Sequence, residues 1–156
     1  MRDIKFINVH CTATSQSATV ESLSNYWRNV KKWRHPGYHY VILPDGQIHQ
    51  FLSEEAISNG VKGVNSVSVN IAYIGGIDSK KKAIDNRTKQ QLASMRAILI
   101  YLQESYPDAD IKGHRDHSPD LNGDGEISSD EFIKQCPSFD VTEWLSSINF
   151  YAQLNF

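Results

Sequence analysis

Ile4-Lys5-Phe6-Ile7-Asn8-Val9-His10 is an apolar run that ends in a histidine, and it reads as a buried β-strand. A polar loop, Thr12 to Ser17, follows it. Thr19 is placed to cap a helix running to about Trp33, with Leu23, Trp27 and Val30 on one face. Pro36-Gly37 then breaks the chain before Tyr38 to Leu43. The turn Pro44-Asp45-Gly46 joins that segment to Gln47 to Phe51 as a hairpin. A second long apolar run, Val67 to Ile74, ends at Gly75-Gly76. Thr88 and Gln91 form a capping box for a helix through about Tyr106, with Leu92, Met95, Leu99 and Leu102 inward. A short strand enters at Ile111, and Val141 to about Ile148 reads as a terminal helix. Strands alternating with helices predict an α/β fold, a single domain over residues 1–156 whose central mixed sheet is flanked by α-helices.

A chain of 156 residues suits one core, and 40% hydrophobic with 22% charged residues is ordinary for a folded protein. A formal charge of -2 and a pI near 6.3 argue against nucleic acid as a partner. No run of about 18 apolar residues is available as a membrane anchor. Met1 to Lys5 passes into the first strand without a leader-like apolar core, so no secretory signal is expected. Two cysteines, Cys11 and Cys136, make no disulfide framework. Cys11 should point to the opposite strand face from His10 and read as buried packing.

His10, His114 and Cys136 together offer two imidazoles and a thiolate, the kind of donor set that binds catalytic zinc with one position left open. Ligands so far apart must be gathered by the fold, and spacing alone is weak support. Between the last two lies an acidic insertion at about 116–131. Within it, Asp120-Leu121-Asn122-Gly123-Asp124-Gly125-Glu126-Ile127-Ser128-Ser129-Asp130-Glu131 matches the spacing of an EF-hand calcium loop. That pattern assigns a calcium ion to Asp120, Asn122, Asp124, the Glu126 carbonyl, Ser128 through water, and Glu131. Ser118-Pro119 breaks any incoming helix, so a paired EF-hand is not expected.

Four motifs in order carry a resemblance: Val9-His10-Cys11-Thr12-Ala13-Thr14, Gly37-Tyr38-His39-Tyr40, Gly113-His114-Arg115-Asp116 and Lys134-Gln135-Cys136-Pro137-Ser138-Phe139-Asp140. The chain resembles the type 2 N-acetylmuramoyl-L-alanine amidases, a zinc family that includes the peptidoglycan recognition proteins, and within it the small phage endolysins. The resemblance implies zinc on His10, His114 and Cys136, with Tyr38 and Lys134 as the catalytic residues that are not ligands. It implies hydrolysis of the amide between N-acetylmuramic acid and L-alanine, with peptidoglycan or a muropeptide as partner. A monomer made in the cytoplasm and released to the wall by a holin-like route is expected. The alternatives are a cytoplasmic recycling amidase for anhydromuropeptides and a peptidoglycan-binding module without turnover. Family members of the second kind lack the ligand cysteine, which Cys136 supplies here.

Two departures from the family pattern stand out. A histidine often found before the central strand is matched by Asn59, and the Asn-Ser-Ile-Gly run by Val67-Ser68-Val69-Asn70. His35, His39, His49 and His117 read as structural or solvated, with His117 near the rim of the site. Trp27 and Trp33 read first as packing residues, with groove walls as the alternative.

Overall fold

Five strands, β1 (Phe6–Cys11), β2 (Tyr40–Ile42), β3 (Ile48–Gln50), β4 (Ser68–Tyr73) and β5 (Asp110–Gly113), form one mixed sheet in the computed structural model, which describes residues 1–156. Their order is β3-β2-β4-β1-β5. β1 lies parallel between β4 and β5, β2 is parallel to β4, and only the hairpin strand β3 runs antiparallel at one edge. The expected α/β domain with a central mixed sheet is therefore present.

Strand alternation divides the sheet chemically. Ile7, Val9 and Cys11 of β1, with Val69, Ile71 and Tyr73 of β4, face the main core. That core is closed by α2 (Lys89–Ser105), through Met95, Ile98, Leu99 and Leu102, and by α3 (Val141–Ser147), through Val141 and Leu145. Met95 is fully buried, a packing residue as expected. The expected Thr88–Gln91 capping box starts α2. Gln91 also donates from Nε2 to the carbonyls of Ile42 and Ile74, which ties the helix start to the ends of β2 and β4.

The opposite face is covered only in part. α1 (Val20–Asn25), capped by Thr19, continues as a π-helical turn over Tyr26–Val30 and packs Leu23 and Trp27 on Val41, Ala72 and Ile74. The expected helix to Trp33 is thus shortened, and Val30 is exposed rather than inward. A π turn spreads its residues more widely about the axis, so a face read at α-helical spacing drifts off the core after Trp27. Lys32, at φ 56, turns the chain away.

The expected EF-hand-like insertion is not formed. No α-helix leads into residues 120–131, only a 3₁₀ turn at His114–His117, and a single 3₁₀ turn, Ser129–Glu131, ends them. Side-chain oxygens assigned to calcium accept from amides of the loop itself. Asp120 takes the Gly123 and Gly125 N–H groups, Asn122 takes Asp124 N–H, and Asp124 takes Glu126 N–H. Glu131 takes the N–H groups of Leu121, Asn122 and Ser128. The chain's one cluster of three or more metal-competent His, Cys, Asp or Glu side chains lies elsewhere, at His10, His114 and Cys136. No helix is long and apolar enough to cross a membrane.

Arg2 locks the segment that borders the open face. Its guanidinium donates to the carbonyls of Glu54 and Ala56 at 2.7 and 2.8 Å, and to those of Asn65 and Ser68 at 2.6 and 2.8 Å. Charge-assisted bonds of this kind are stronger than neutral ones, and the half-buried setting leaves the carbonyls few other partners. Arg2→Met keeps the stem and removes the donors. Urea unfolding should show a loss of about 2 kcal/mol, and hydrogen exchange should accelerate across residues 54–68.

Candidate metal centre and its cleft

Parallel register brings the two histidines together. Val9 of β1 pairs with Gly113 of β5, so His10 and His114 are neighbours at the carboxyl ends of adjacent strands, with ring centroids 4.9 Å apart. Cys136 arrives from a distant loop that is pinned to the same end of the sheet. Its carbonyl accepts from Arg115 N–H at 2.9 Å, and its Sγ accepts from Cys11 N–H at 3.3 Å. Tyr73 donates its hydroxyl to the Pro137 carbonyl, and Ser138 donates to that of Gly76.

Cys136 Sγ stands 3.7 Å from His10 Nδ1, and one donor atom from each of His10, His114 and Cys136 falls within 4.8 Å of the others. At ordinary zinc bond lengths, the tetrahedral edge between a nitrogen and a sulfur ligand is about 3.6 Å. The donor set therefore fits a metal ion with a small inward adjustment of His114. Burial first, then the nearby His114, lowers the His10 pKa to about 3; burial and the Lys134 ammonium lower that of His114 to about 4. Both rings are neutral at neutral pH, with lone pairs available to a cation. Burial raises the Cys136 thiol, which leaves a proton to be displaced when a metal takes the sulfur.

Cys11 is buried, as expected, with its Sγ near Ser138 Oγ at 3.7 Å. A Cβ at Gly76 would strike that sulfur, so this glycine allows the close approach.

Tyr38 and Lys134 reach the same place. The Tyr38 ring centroid is 5.0 Å from that of His10, and its hydroxyl donates to the Cys11 carbonyl at 3.2 Å. Burial holds the phenol pKa well above its ordinary value, so Tyr38 is a donor and not a resident base. Lys134 is exposed and shares with Tyr38, His114 and Cys136 the lining of a cleft of about 650 Å³. A second cleft of about 670 Å³ shares Trp33, Asn59, Gly60, His114 and Lys134 with the first, so the two run together past the metal centre.

The other histidines lie outside the ligand set. His39 is buried and bonded to the Ala56 carbonyl, His35 bonds the Ile57 carbonyl, and His49 stacks edge-on to Phe51. His117 borders the second cleft, at the rim where it was expected. Trp27 packs as expected, whereas half-buried Trp33 walls both clefts. Its place beside the Pro36-Gly37 break was the available signal that the helix no longer governs its facing. Asn8 and Asn70, both fully buried beneath His10, were missed. Their signal was a polar side chain inside each of two otherwise apolar strands.

A family profile for N-acetylmuramoyl-L-alanine amidases matches residues 1–137. The endolysin of Enterobacteria phage K11 is 34% identical over 140 residues, covering 89% of this chain and 83% of that protein. That of Escherichia phage T7 is 34% identical over 140 residues, covering 88% and 83%. Among solved structures, the Ph2119 endolysin of a Thermus scotoductus bacteriophage superposes with a TM-score of 0.73 at 22% identity, covering 94% of this chain and 85% of that one.

Burial lowers the pKa of four histidines, His39 and His117 among them, but His10 and His114 dominate the pH dependence of the metal-free protein. Their folded pKa values, about 3 and about 4, lie below the unfolded value of about 6.5, so the unfolded chain binds more protons between them. The stability present above pH ~6.5 should fall steadily on acidification towards pH ~4. Urea unfolding of chelator-treated protein across that range should show the slope, and His10→Gln should reduce it.

Proposed function

The chain belongs to the N-acetylmuramoyl-L-alanine amidase family, and on that premise we propose how its own residues divide the work of hydrolysis. The reaction is cleavage of the amide between N-acetylmuramic acid and L-alanine in peptidoglycan, and the chain is an enzyme of that class. The observation that carries the assignment is the convergence of buried His10 with His114 and Cys136, which line an open cleft.

Zinc is the metal whose preferences this set meets, since two imidazoles and a thiolate suit a borderline-soft ion and three protein ligands leave a position open. When bound, zinc supplies Lewis-acid polarisation of the scissile carbonyl and activation of water near neutral pH. His10 and His114 contribute neutral nitrogens, and Cys136 contributes its sulfur as thiolate. Tyr38, a protonated phenol, donates a hydrogen bond that orients the attacking water or the carbonyl oxygen. Lys134 brings a positive charge to the cleft at the side of His114 and stabilises the oxyanion as it develops, more strongly than it binds the neutral amide. The joined clefts on either side of His114 and Lys134 give room for a substrate that extends both ways from the cut bond.

Synthesis in the cytoplasm with holin-assisted release to the wall is the delivery route this reading carries. The calcium expectation for Asp120 to Glu131 rests on residue spacing alone, and no catalytic side chain is drawn from that loop.

Digestion of purified sacculi followed by mass spectrometry tests the bond cut: stem peptides with a free L-alanine amine should be released, and released disaccharides without amide cleavage would contradict the assignment. Cys136→Ser should lower both zinc content and turnover by at least about 100-fold, because the soft ligand is lost. Tyr38→Phe and Lys134→Ala should retain full zinc content. Lys134→Ala should lower kcat by about 10² to 10³, the cost of removing one oxyanion donor.

A further inference from the structure

Beneath His10 lies a row of buried polar side chains that the hydrolysis does not touch, and the backbone fixes the direction of every proton along it. His39 Nε2 faces the Ala56 carbonyl at 2.9 Å, an atom that can only accept, so Nε2 carries the ring proton. His39 Nδ1 faces the Asn70 backbone N–H at 3.0 Å, an atom that can only donate, which agrees. Ser58 Oγ, 3.2 Å from that same unprotonated Nδ1, must then be its donor. With its proton so placed, Ser58 Oγ accepts from the Asn70 side chain at 2.9 Å, which makes the atom facing it the amide nitrogen. The Asn70 oxygen therefore points the other way, towards Asn8 Nδ2 at 3.1 Å and His10 Nε2 at 2.9 Å. An amide oxygen only accepts. His10 consequently bears its proton on Nε2, and its lone pair sits on Nδ1, the atom 3.7 Å from Cys136 Sγ.

Resting on the metal-centre reading above, we propose that Asn70 is a positioning residue that holds His10 in the Nε2–H tautomer and so reserves Nδ1 for the metal. Residues 8, 10, 39, 58 and 70 are all fully or almost fully buried, so no water competes for these bonds. The Asn70 amide lies directly against Gly60, where any Cβ would collide with Asn70 Cγ and Oδ1. Glycine at 60 thus leaves the space in which the amide can reach both Ser58 and His10. A partner on the second ring nitrogen commonly sets the orientation and basicity of a metal-bound histidine.

The test reads the tautomer directly. Long-range ¹H–¹⁵N correlation spectra of metal-free, ¹⁵N-labelled wild-type protein at neutral pH should show His10 protonated at Nε2 and bare at Nδ1. A proton on Nδ1, or averaging between the two forms, would overturn the proposal, and this needs no variant to fold. Chelator competition supplies the second readout. Asn70→Leu removes the acceptor and should weaken zinc binding about 10- to 100-fold, with both His10 tautomers visible in the metal-free spectrum. Asn70→Asp breaks the Ser58 arm but keeps an acceptor on His10, so it should retain most of the affinity and the Nε2–H form. A folded Asn70→Leu protein that binds zinc as tightly as wild type would also overturn the proposal. Failure of wild type to take up zinc would overturn the metal centre and with it the purpose of the reserved Nδ1. Zinc uptake with Nδ1–H in the metal-free protein would overturn this inference alone.

Discussion

β1 is hydrogen-bonded along both edges, to β4 over its whole length and to β5 over its first four residues, and this double pairing governs what the molecule can do. A strand held on two sides cannot slip by one residue without sending every side chain to the wrong face. Ile7, Val9 and Cys11 belong to the core, so Asn8 and His10 are committed to the other side. The same register places the end of β5, and so His114, beside His10. A buried apolar face on one side of the sheet thus dictates the position of two metal ligands on the other.

The third ligand has no such support from a strand. Cys136 lies on a loop held by hydrogen bonds from Arg115, Tyr73 and Ser138 and by the residues that follow it. Phe139 is buried, and the Arg87 guanidinium stacks 3.4 Å over its ring and 4.6 Å from that of Trp144 while pairing with Asp85 at 2.9 Å. Cation–π stacking with the cation largely withdrawn from water is stronger than at an exposed site. The start of α2 is therefore coupled to the loop bearing the thiolate. Two of the three metal-centre residues are set by sheet register and one by loop packing, while Lys134 remains on the exposed part of that loop.

Much of this was legible because its physics is local. Apolar runs marked β1 and β4, the Pro-Asp-Gly turn marked the β2–β3 hairpin, and Thr88 with Gln91 marked the start of α2. His10, His114, Cys136, Tyr38 and Lys134 could be singled out through ordered motifs, although only the fold shows that they meet. What was not legible depends on contacts between distant segments. Nothing in Tyr26 to Val30 announces the π turn found there. Residues 120–131 have calcium-loop spacing, but spacing does not disclose that the carboxylates turn onto the loop's own amides. The role of Asn70 depends on Ser58, Gly60 and His39, which approach it only once β2 and β4 have paired.

The central claim is that the fold makes one metal site with two imidazoles and a single sulfur. X-ray absorption at the zinc edge of the zinc-loaded protein tests it most directly. The account predicts one sulfur scatterer at about 2.3 Å, with nitrogen or oxygen scatterers at about 2.0 to 2.1 Å completing four-coordination. A shell without sulfur would remove Cys136 from the site, and a shell with two sulfurs would place Cys11 in it; either result would contradict the account.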